Sequence, residues 1–129
     1  MQEDPKDDDA HRILTVILAR LGQSEPAIEE ARKAAALGPE NPSAARLIVT
    51  LLARAGQDGE AIAAARTGLA AFPYDADLHY SLSQALAREG DWAAAARQIN
   101  YALLFRPDWT EARLTRDQII SHLKNPIGP

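Results

Sequence analysis

Histidines and carboxylates are the residues of this chain whose types suit acid–base or metal chemistry, but their spacing suits neither. His11, His79 and His122 are far apart, so no two of them have metal-ligand spacing on one helix. The carboxylates at 7–9 and 29–30 are consecutive, which is typical of solvated faces and not of groups opposed across a cleft. The sequence contains no phosphate-binding loop, nucleophile elbow or zinc-protease motif. We therefore expect no catalytic residue, no metal site and no cofactor.

Arginines could present charge to a ligand, and they recur with a step of 34 residues. One column is Arg20, Arg54 and Arg88, and the other is Arg12 and Arg46. The first column falls in the last turns of expected helices, where the helix dipole favours a cation by roughly 0.3–1 kcal/mol, so a structural role is sufficient there. Arg12 and Arg46 fall in first turns, where the dipole disfavours a cation. Either an acidic ligand or a nearby carboxylate, such as Asp8 or Asp9, would compensate for them.

The same step of 34 residues extends to other residue types and indicates an internal repeat. The columns that keep it are Pro5, Pro39, Pro73 and Pro107, then Gly22, Gly56 and Gly90, then Ala27, Ala61 and Ala95. A period of 34 is typical of a stacked helix–turn–helix unit.

Helix start and stop signals divide each repeat into two helices. The glycines are predicted to end the first helix of each pair, and the prolines follow the second. Asn41 before Pro42, and Asp75 one repeat later, are predicted caps of first helices. Ser24, Asp58 and Asp91 are predicted caps of second helices. The pattern predicts seven helices, at residues 8–21, 25–37, 42–55, 59–71, 76–89, 92–105 and 109–123.

Composition fixes the broad class as a globular chain. Its 129 residues are 47% apolar and 25% charged, and the net charge of −4 argues against nucleic-acid binding. Because there is no cysteine, disulfides and thiol chemistry are excluded. The longest strongly apolar stretch, 13–18, is far too short to insert across a membrane. The acidic amino terminus lacks a signal-peptide core, so we favour a cytoplasmic location for the chain as written, and a periplasmic one if it is cut from a longer exported protein.

On these residues the chain resembles the tetratricopeptide-repeat (TPR) family. The resemblance gives an acidic segment at 1–7, repeats at 8–41, 42–75 and 76–109, a capping helix at 109–123 and a tail at 124–129. The third repeat matches the family positions best, at Leu82, Gly90-Asp91-Trp92, Ala95, Ala102 and Pro107. The resemblance implies an all-α fold, a right-handed superhelical solenoid of three helix–turn–helix repeats plus a C-terminal capping helix.

The resemblance also implies where a partner would bind. In this family the first helices of the pairs line a concave groove that holds an extended peptide or a helix. Carried over by position, the groove residues are Arg12, Val16, Arg20, Arg46, Thr50, Arg54, Tyr80, Gln84 and Arg88. The co-chaperone branch of the family clamps a terminal carboxylate with Lys, Asn and Arg. Here Val16 and Leu47 replace the asparagines, and Asp77 and Ser81 replace two cations, so the clamp is predicted to be absent.

The first helix carries apolar residues at an edge that no preceding repeat covers. Ile13, Val16 and Ile17 form this edge, and such surfaces usually mark a contact. The segment 1–7, a partner helix or a second copy would cover it, and we predict at least a weak homodimer. The function that we expect is a non-catalytic adaptor that holds a peptide or helix of a partner protein, with an acidic partner favoured. The alternatives are a self-assembly module and the regulatory domain of a larger enzyme.

Overall fold

The chain folds into consecutive helices, and the computed structural model describes residues 8–37 and 42–124 of it. Within those ranges there are seven helices and no strand: α1 (Asp8–Arg20), α2 (Ser24–Leu37), α3 (Ser43–Arg54), α4 (Asp58–Ala71), α5 (Ala76–Arg88), α6 (Trp92–Phe105) and α7 (Thr110–Lys124). Every helix begins and ends within one residue of its predicted bound. The acidic segment 1–7, the connection 38–41 and most of the predicted tail, 125–129, lie outside the described residues.

Glycine ends the first helix of each pair, as predicted. Gly22, Gly56 and Gly90 have φ of +80°, +78° and +86°, the left-handed conformation that a residue with Cβ adopts only at a cost. The amide after each glycine donates to a carbonyl five residues back, as from Gln23 to Leu18 at 2.9 Å. These bonds form the Schellman motif, which satisfies carbonyls that the helix end would leave free. The turn between the two helices of each pair is therefore encoded locally.

The predicted helix caps are confirmed for Asp75 and Asp91 and are wrong for Ser24 and Asp58. Ser24 is the first residue of α2 and not its cap. The carboxylate of Asp75 accepts a hydrogen bond from the amide of Leu78 at 2.9 Å, and that of Asp91 accepts one from Ala94. Asp58 is instead the first residue of α4, and its carboxylate accepts from Arg88. Pro42 occupies the cap position of α3, so the predicted start at 42 is one residue early, and Asn41 lies outside the described residues.

Neighbouring helices pack in two ways. Each helix packs against the next along the chain, and the odd-numbered helices also contact one another in series, α1 with α3, α3 with α5 and α5 with α7. The first helices of the pairs therefore form one side of the stack, and α7 continues their row beyond the last complete pair.

Alanine makes the close packing between the pairs possible. Ala27, Ala61 and Ala95, one in each repeat, are fully buried. The next column has Ala31 and Ala65 fully buried, with the larger Ile99 taking the same place in the third repeat. Side chains this small let the second helices approach their neighbours closely, because only a methyl group separates the backbones. The larger core side chains come mainly from the odd-numbered helices, among them Leu52, Leu78, Leu82 and Ile119.

A side-chain contact between the two helices of a pair is present in the first and third repeats and missing from the second. His11 Nδ1 lies 2.7 Å from Glu30 Oε2, and two repeats later His79 Nδ1 lies 2.7 Å from Gln98 Oε1. The hydrogen bond from His11, ahead of a weaker contribution from Lys33, lowers the pKa of Glu30. The equivalent positions of the second repeat hold Ala45 and Ala64. They line a cleft of about 250 Å³ among α2, α3 and α4, which we call the α2–α4 cleft.

None of the helices described above is both long and apolar enough to cross a membrane.

Candidate functional site

The second and third repeats form a cleft between their first helices. This α3–α5 cleft has a volume of about 260 Å³. It is lined by Val49, Thr50, Ala53, Arg54, Ser81, Gln84 and Arg88. Four of the residues expected in the groove, Thr50, Arg54, Gln84 and Arg88, are therefore brought together on one surface. They meet because α3 and α5 lie side by side with their last two turns at the same level.

A second cleft continues the first towards the end of the chain. This α5–α7 cleft has a volume of about 480 Å³. It is lined by Gln84, Ala87, Arg88, Trp92, Thr115, Gln118, Ile119 and His122. Gln84 and Arg88 belong to both clefts, so the two form one continuous surface across α3, α5 and α7, which we call the groove.

Arg54, Arg88 and His122 stand one repeat step apart along the groove, and we call them the basic column. They differ in the residue that lies opposite them on the preceding helix. Arg88 Nε donates to Asp58 Oδ1 at 2.9 Å. His122, one repeat step further, stacks on Trp92, with ring centroids 3.9 Å apart and planes 6° from parallel.

Arg54 differs from Arg88 because the position opposite it is not acidic. Ser24 stands there, one repeat step before Asp58. Arg54 is exposed and makes no ion pair with any described residue. Its guanidinium is therefore free to meet a ligand within the α3–α5 cleft, whereas the charge of Arg88 is already partly compensated.

Tyr80 is held in place by the last helix. Its ring packs on Trp109 with centroids 4.4 Å apart, and the guanidinium carbon of Arg106 lies 4.2 Å from the Trp109 centroid on that ring. The Tyr80 hydroxyl is 3.3 Å from Thr115 Oγ1 and accepts a hydrogen bond from Gln84 Nε2 at 3.2 Å. Tyr80 was expected to face a ligand, but its ring is engaged in this packing. It fixes the position of Gln84 at the groove.

Arg46 is paired within the protein. Its Nε donates to both carboxylate oxygens of Asp75, at 3.1 and 3.0 Å, and its Nη2 contacts Asp75 Oδ1 as well. Asp77 adds a longer ion pair at 3.5 Å. Hydrogen bonding to Asp75 raises the pKa of Arg46. Because Asp75 also caps α5, this pair ties the second repeat to the third. A nearby carboxylate, and not a ligand, thus compensates for this first-turn cation.

The first repeat contributes little to the groove. Val16 and Arg20 are exposed on α1, and neither lines one of the two clefts. The side chain of Arg12 lies outside the described residues, so its expected place in the groove stays a prediction. The apolar edge residues Ile13 and Ile17 are exposed on α1, as expected from the sequence.

The last helix supplies groove residues that sequence reasoning missed. Thr115, Gln118 and His122 line the α5–α7 cleft. We treated this helix only as a cap, yet Gln118 and His122 stand one repeat step after Gln84 and Arg88. Extending the 34-residue register by one further helix would have found them.

In residues 8–37 and 42–124 no three His, Cys, Asp or Glu side chains come together as metal ligands would. The groove contains side-chain amides and hydroxyls that can form hydrogen bonds, the guanidinium of Arg54 and the indole ring of Trp92.

The chain has the fold of a tetratricopeptide-repeat domain, a right-handed solenoid of three helix pairs with a seventh helix as cap. The predicted fold class is thereby confirmed. No family model matches the sequence, and no curated protein matches it either. The evidence for the fold is the likeness to solved structures.

Three solved structures illustrate that likeness. The first TPR domain of Spaghetti (RPAP3), bound to the HSP90 peptide SRMEEVD, superposes with a TM-score of 0.86 at 16% identity, over 95% of this chain and 97% of that one. The TPR domain of Arabidopsis OM64 gives 0.82 at 12% identity, over 89% and 95%. A double mutant of MamA RS-1 gives 0.80 at 19% identity, over 95% of this chain and 68% of the other.

Proposed function

We propose that this protein is a non-catalytic interaction module that binds an extended peptide segment of a partner protein in the groove along α3, α5 and α7. The observation that carries the proposal is the continuity of the two clefts, which share Gln84 and Arg88. A continuous surface across three parallel first helices suits an extended chain. The likeness to a TPR domain bound to a peptide supports the same kind of ligand.

The groove chemistry favours a segment with at least one acidic side chain. Arg54 has no ion-pair partner among the described residues, and Arg88 and His122 extend the same basic column. Gln84 and Gln118 stand one repeat apart, where their amides can pair with the backbone of an extended peptide. Recognition then rests on backbone hydrogen bonds and one charge-assisted contact, which suits moderate affinity.

The ligand that we propose differs from the HSP90 peptide bound to RPAP3. The clamp for a terminal carboxylate needs cations and asparagines at positions that here hold Val16, Leu47 and Asp77. Asp77 is acidic and is paired with Arg46 and Arg106 at 3.5 Å, so this position supplies no cation for a terminal carboxylate. We therefore expect the peptide SRMEEVD to bind far more weakly than a ligand chosen for this groove.

Selection from a displayed library of random peptides, followed by calorimetry on the chosen sequences, tests the proposal. We expect acidic residues to be enriched among the selected peptides. The variant Arg54→Ala should weaken their binding by about tenfold, since the loss of one charge-assisted contact is worth about 1.4 kcal/mol. Binding to this variant should also depend less on salt than binding to the wild type.

Arg66→Ala is the matched control, because it removes the same charge from an exposed arginine on α4, outside both clefts. It should leave the dissociation constant almost unchanged. If Arg66→Ala weakened binding as much as Arg54→Ala does, the effect would come from net charge and the groove would not be the site. Selected peptides without acidic residues would contradict the proposed specificity.

A further inference from the structure

An apolar stripe is exposed along α1 and the residue after it, and two of its members, Leu14 and Ile17, have buried counterparts in both later repeats. The exposed fractions are 62% for Ile13, 42% for Leu14, 50% for Ile17 and 66% for Leu21. These residues follow each other at helical spacing, so they form one continuous stripe. Aliphatic side chains in such a stripe are usually covered in a functional assembly.

The repeat register relates two residues of this stripe to a buried packing face in the second repeat. Leu14 and Ile17 correspond to Ile48 and Leu51 of the second repeat, which are only 8% and 5% exposed. There α3 packs against α2 of the preceding pair. Leu14 and Ile17 therefore occupy the ordinary packing face between repeats, and no described helix covers them.

The opposite edge of the stack, formed by α7, carries charged residues at two positions that are buried in α5. At the positions where α5 buries Leu82 and Ser83, α7 carries Arg116 and Asp117. Leu114 and Leu123 remain exposed on α7, but their spacing of nine residues puts them on opposite sides of the helix, so they form no stripe. The α7 edge offers no apolar surface to match α1, and copies stacked head to tail are disfavoured.

The residue types at two positions beside the stripe would complement a second copy of α1. By helical register, positions 9 and 20 fall along the same flank of α1, close to Ile13 and at opposite ends of the stripe. Position 9 is Asp and position 20 is Arg. When two copies of α1 lie antiparallel across a two-fold axis, each acidic position comes opposite the basic position of the other copy. A parallel arrangement would put like charges together.

We propose that two copies of this protein associate through α1, antiparallel, in a closed two-fold dimer. Ile13, Leu14 and Ile17 form the apolar centre, and positions 9 and 20 form a reciprocal pair at each end. Each copy uses the same patch, so the contact closes on itself and does not propagate into a filament. The groove along α3, α5 and α7 stays open in each copy, so a dimer would present two peptide sites.

Sedimentation equilibrium from micromolar to millimolar concentration tests the dimer. We expect the mass to rise from 14.0 kDa towards twice that value and to go no higher. Ile17→Glu should abolish the rise. Leu114→Glu, which makes the same kind of change on an exposed residue of the α7 edge, should leave it unchanged. Circular dichroism of both variants checks that the helices are retained.

A charge exchange tests the antiparallel geometry separately. Asp9→Arg alone and Arg20→Asp alone should each weaken the dimer, and the double exchange should restore it, because the reciprocal pairs are re-formed with opposite sign. The proposal is overturned by a mass that stays at 14.0 kDa throughout, by growth beyond the dimer, or by loss of association in Leu114→Glu. Failure of the double exchange to restore association would overturn the antiparallel arrangement.

Discussion

Two arginines of α3, eight residues apart in the chain, have different roles because of what stands opposite them. Arg46 meets Asp75, a nearly buried carboxylate that also caps α5. The position opposite Arg54 holds Ser24, and Arg54 makes no ion pair with any described residue. The side-chain partner, and not the arginine itself, decides which residue supports the fold and which is available to a ligand.

This difference leads to a stability prediction for the two arginines. Among the described residues, Arg46→Ala leaves the amide of Leu78 as the remaining hydrogen-bond donor to the carboxylate of Asp75. Removing one partner of a buried polar group costs about 1–3 kcal/mol, so the free energy of unfolding in urea should fall by that amount. Arg54→Ala should change it by less than about 0.5 kcal/mol, as an exposed substitution does. Equal losses in the two variants would show that the Arg46–Asp75 pair contributes nothing to stability.

At the scale of helices, the three repeats differ in the side-chain contacts between their two helices. The first repeat joins them through His11 and Glu30, and the third through His79 and Gln98. The second repeat has alanine at both positions, and the α2–α4 cleft lies there. In the third repeat the histidine also packs against Tyr101 and Phe105, whose counterparts are the smaller Thr67 and Ala71.

Restoring the missing pair should stabilise the second repeat. We expect the double variant Ala45→His with Ala64→Gln to be more stable than the sum of the two single variants predicts, by about 0.5–1.5 kcal/mol, since the hydrogen bond forms only when both partners are present. A double-mutant cycle in urea measures this coupling energy. A coupling energy of zero would mean that the two helices do not meet in the second repeat as they do in the other two.

At the scale of the whole molecule, the repeat made the fold predictable from sequence. The positions of Gly22, Gly56 and Gly90 set the turns through local backbone conformation, so the helix bounds follow from residue types alone. The stacking order follows as well, because each pair must bury its apolar face against the next.

The groove was less predictable, since it depends on contacts between distant residues. Arg46 and Asp75 are 29 residues apart, and nothing local shows that they pair. Tyr80 likewise packs on Trp109 of a region that sequence reasoning assigned to the cap. The repeat register correctly placed residues on the first helices. It could not show which of those residues are paired with other side chains and which are not, because the pairing depends on the three-dimensional packing.

Chemical-shift mapping tests the central claim, that the groove is the binding surface, most directly. A peptide selected for binding is titrated into isotope-labelled protein, and the backbone amide shifts are followed residue by residue. We predict that the largest changes fall on α3 near Arg54, on α5 near Gln84 and Arg88, and on α7 near Gln118. Largest changes on the residues of the α2–α4 cleft, such as Thr67 and Phe72, or along α1, with the groove unaffected, would contradict the account.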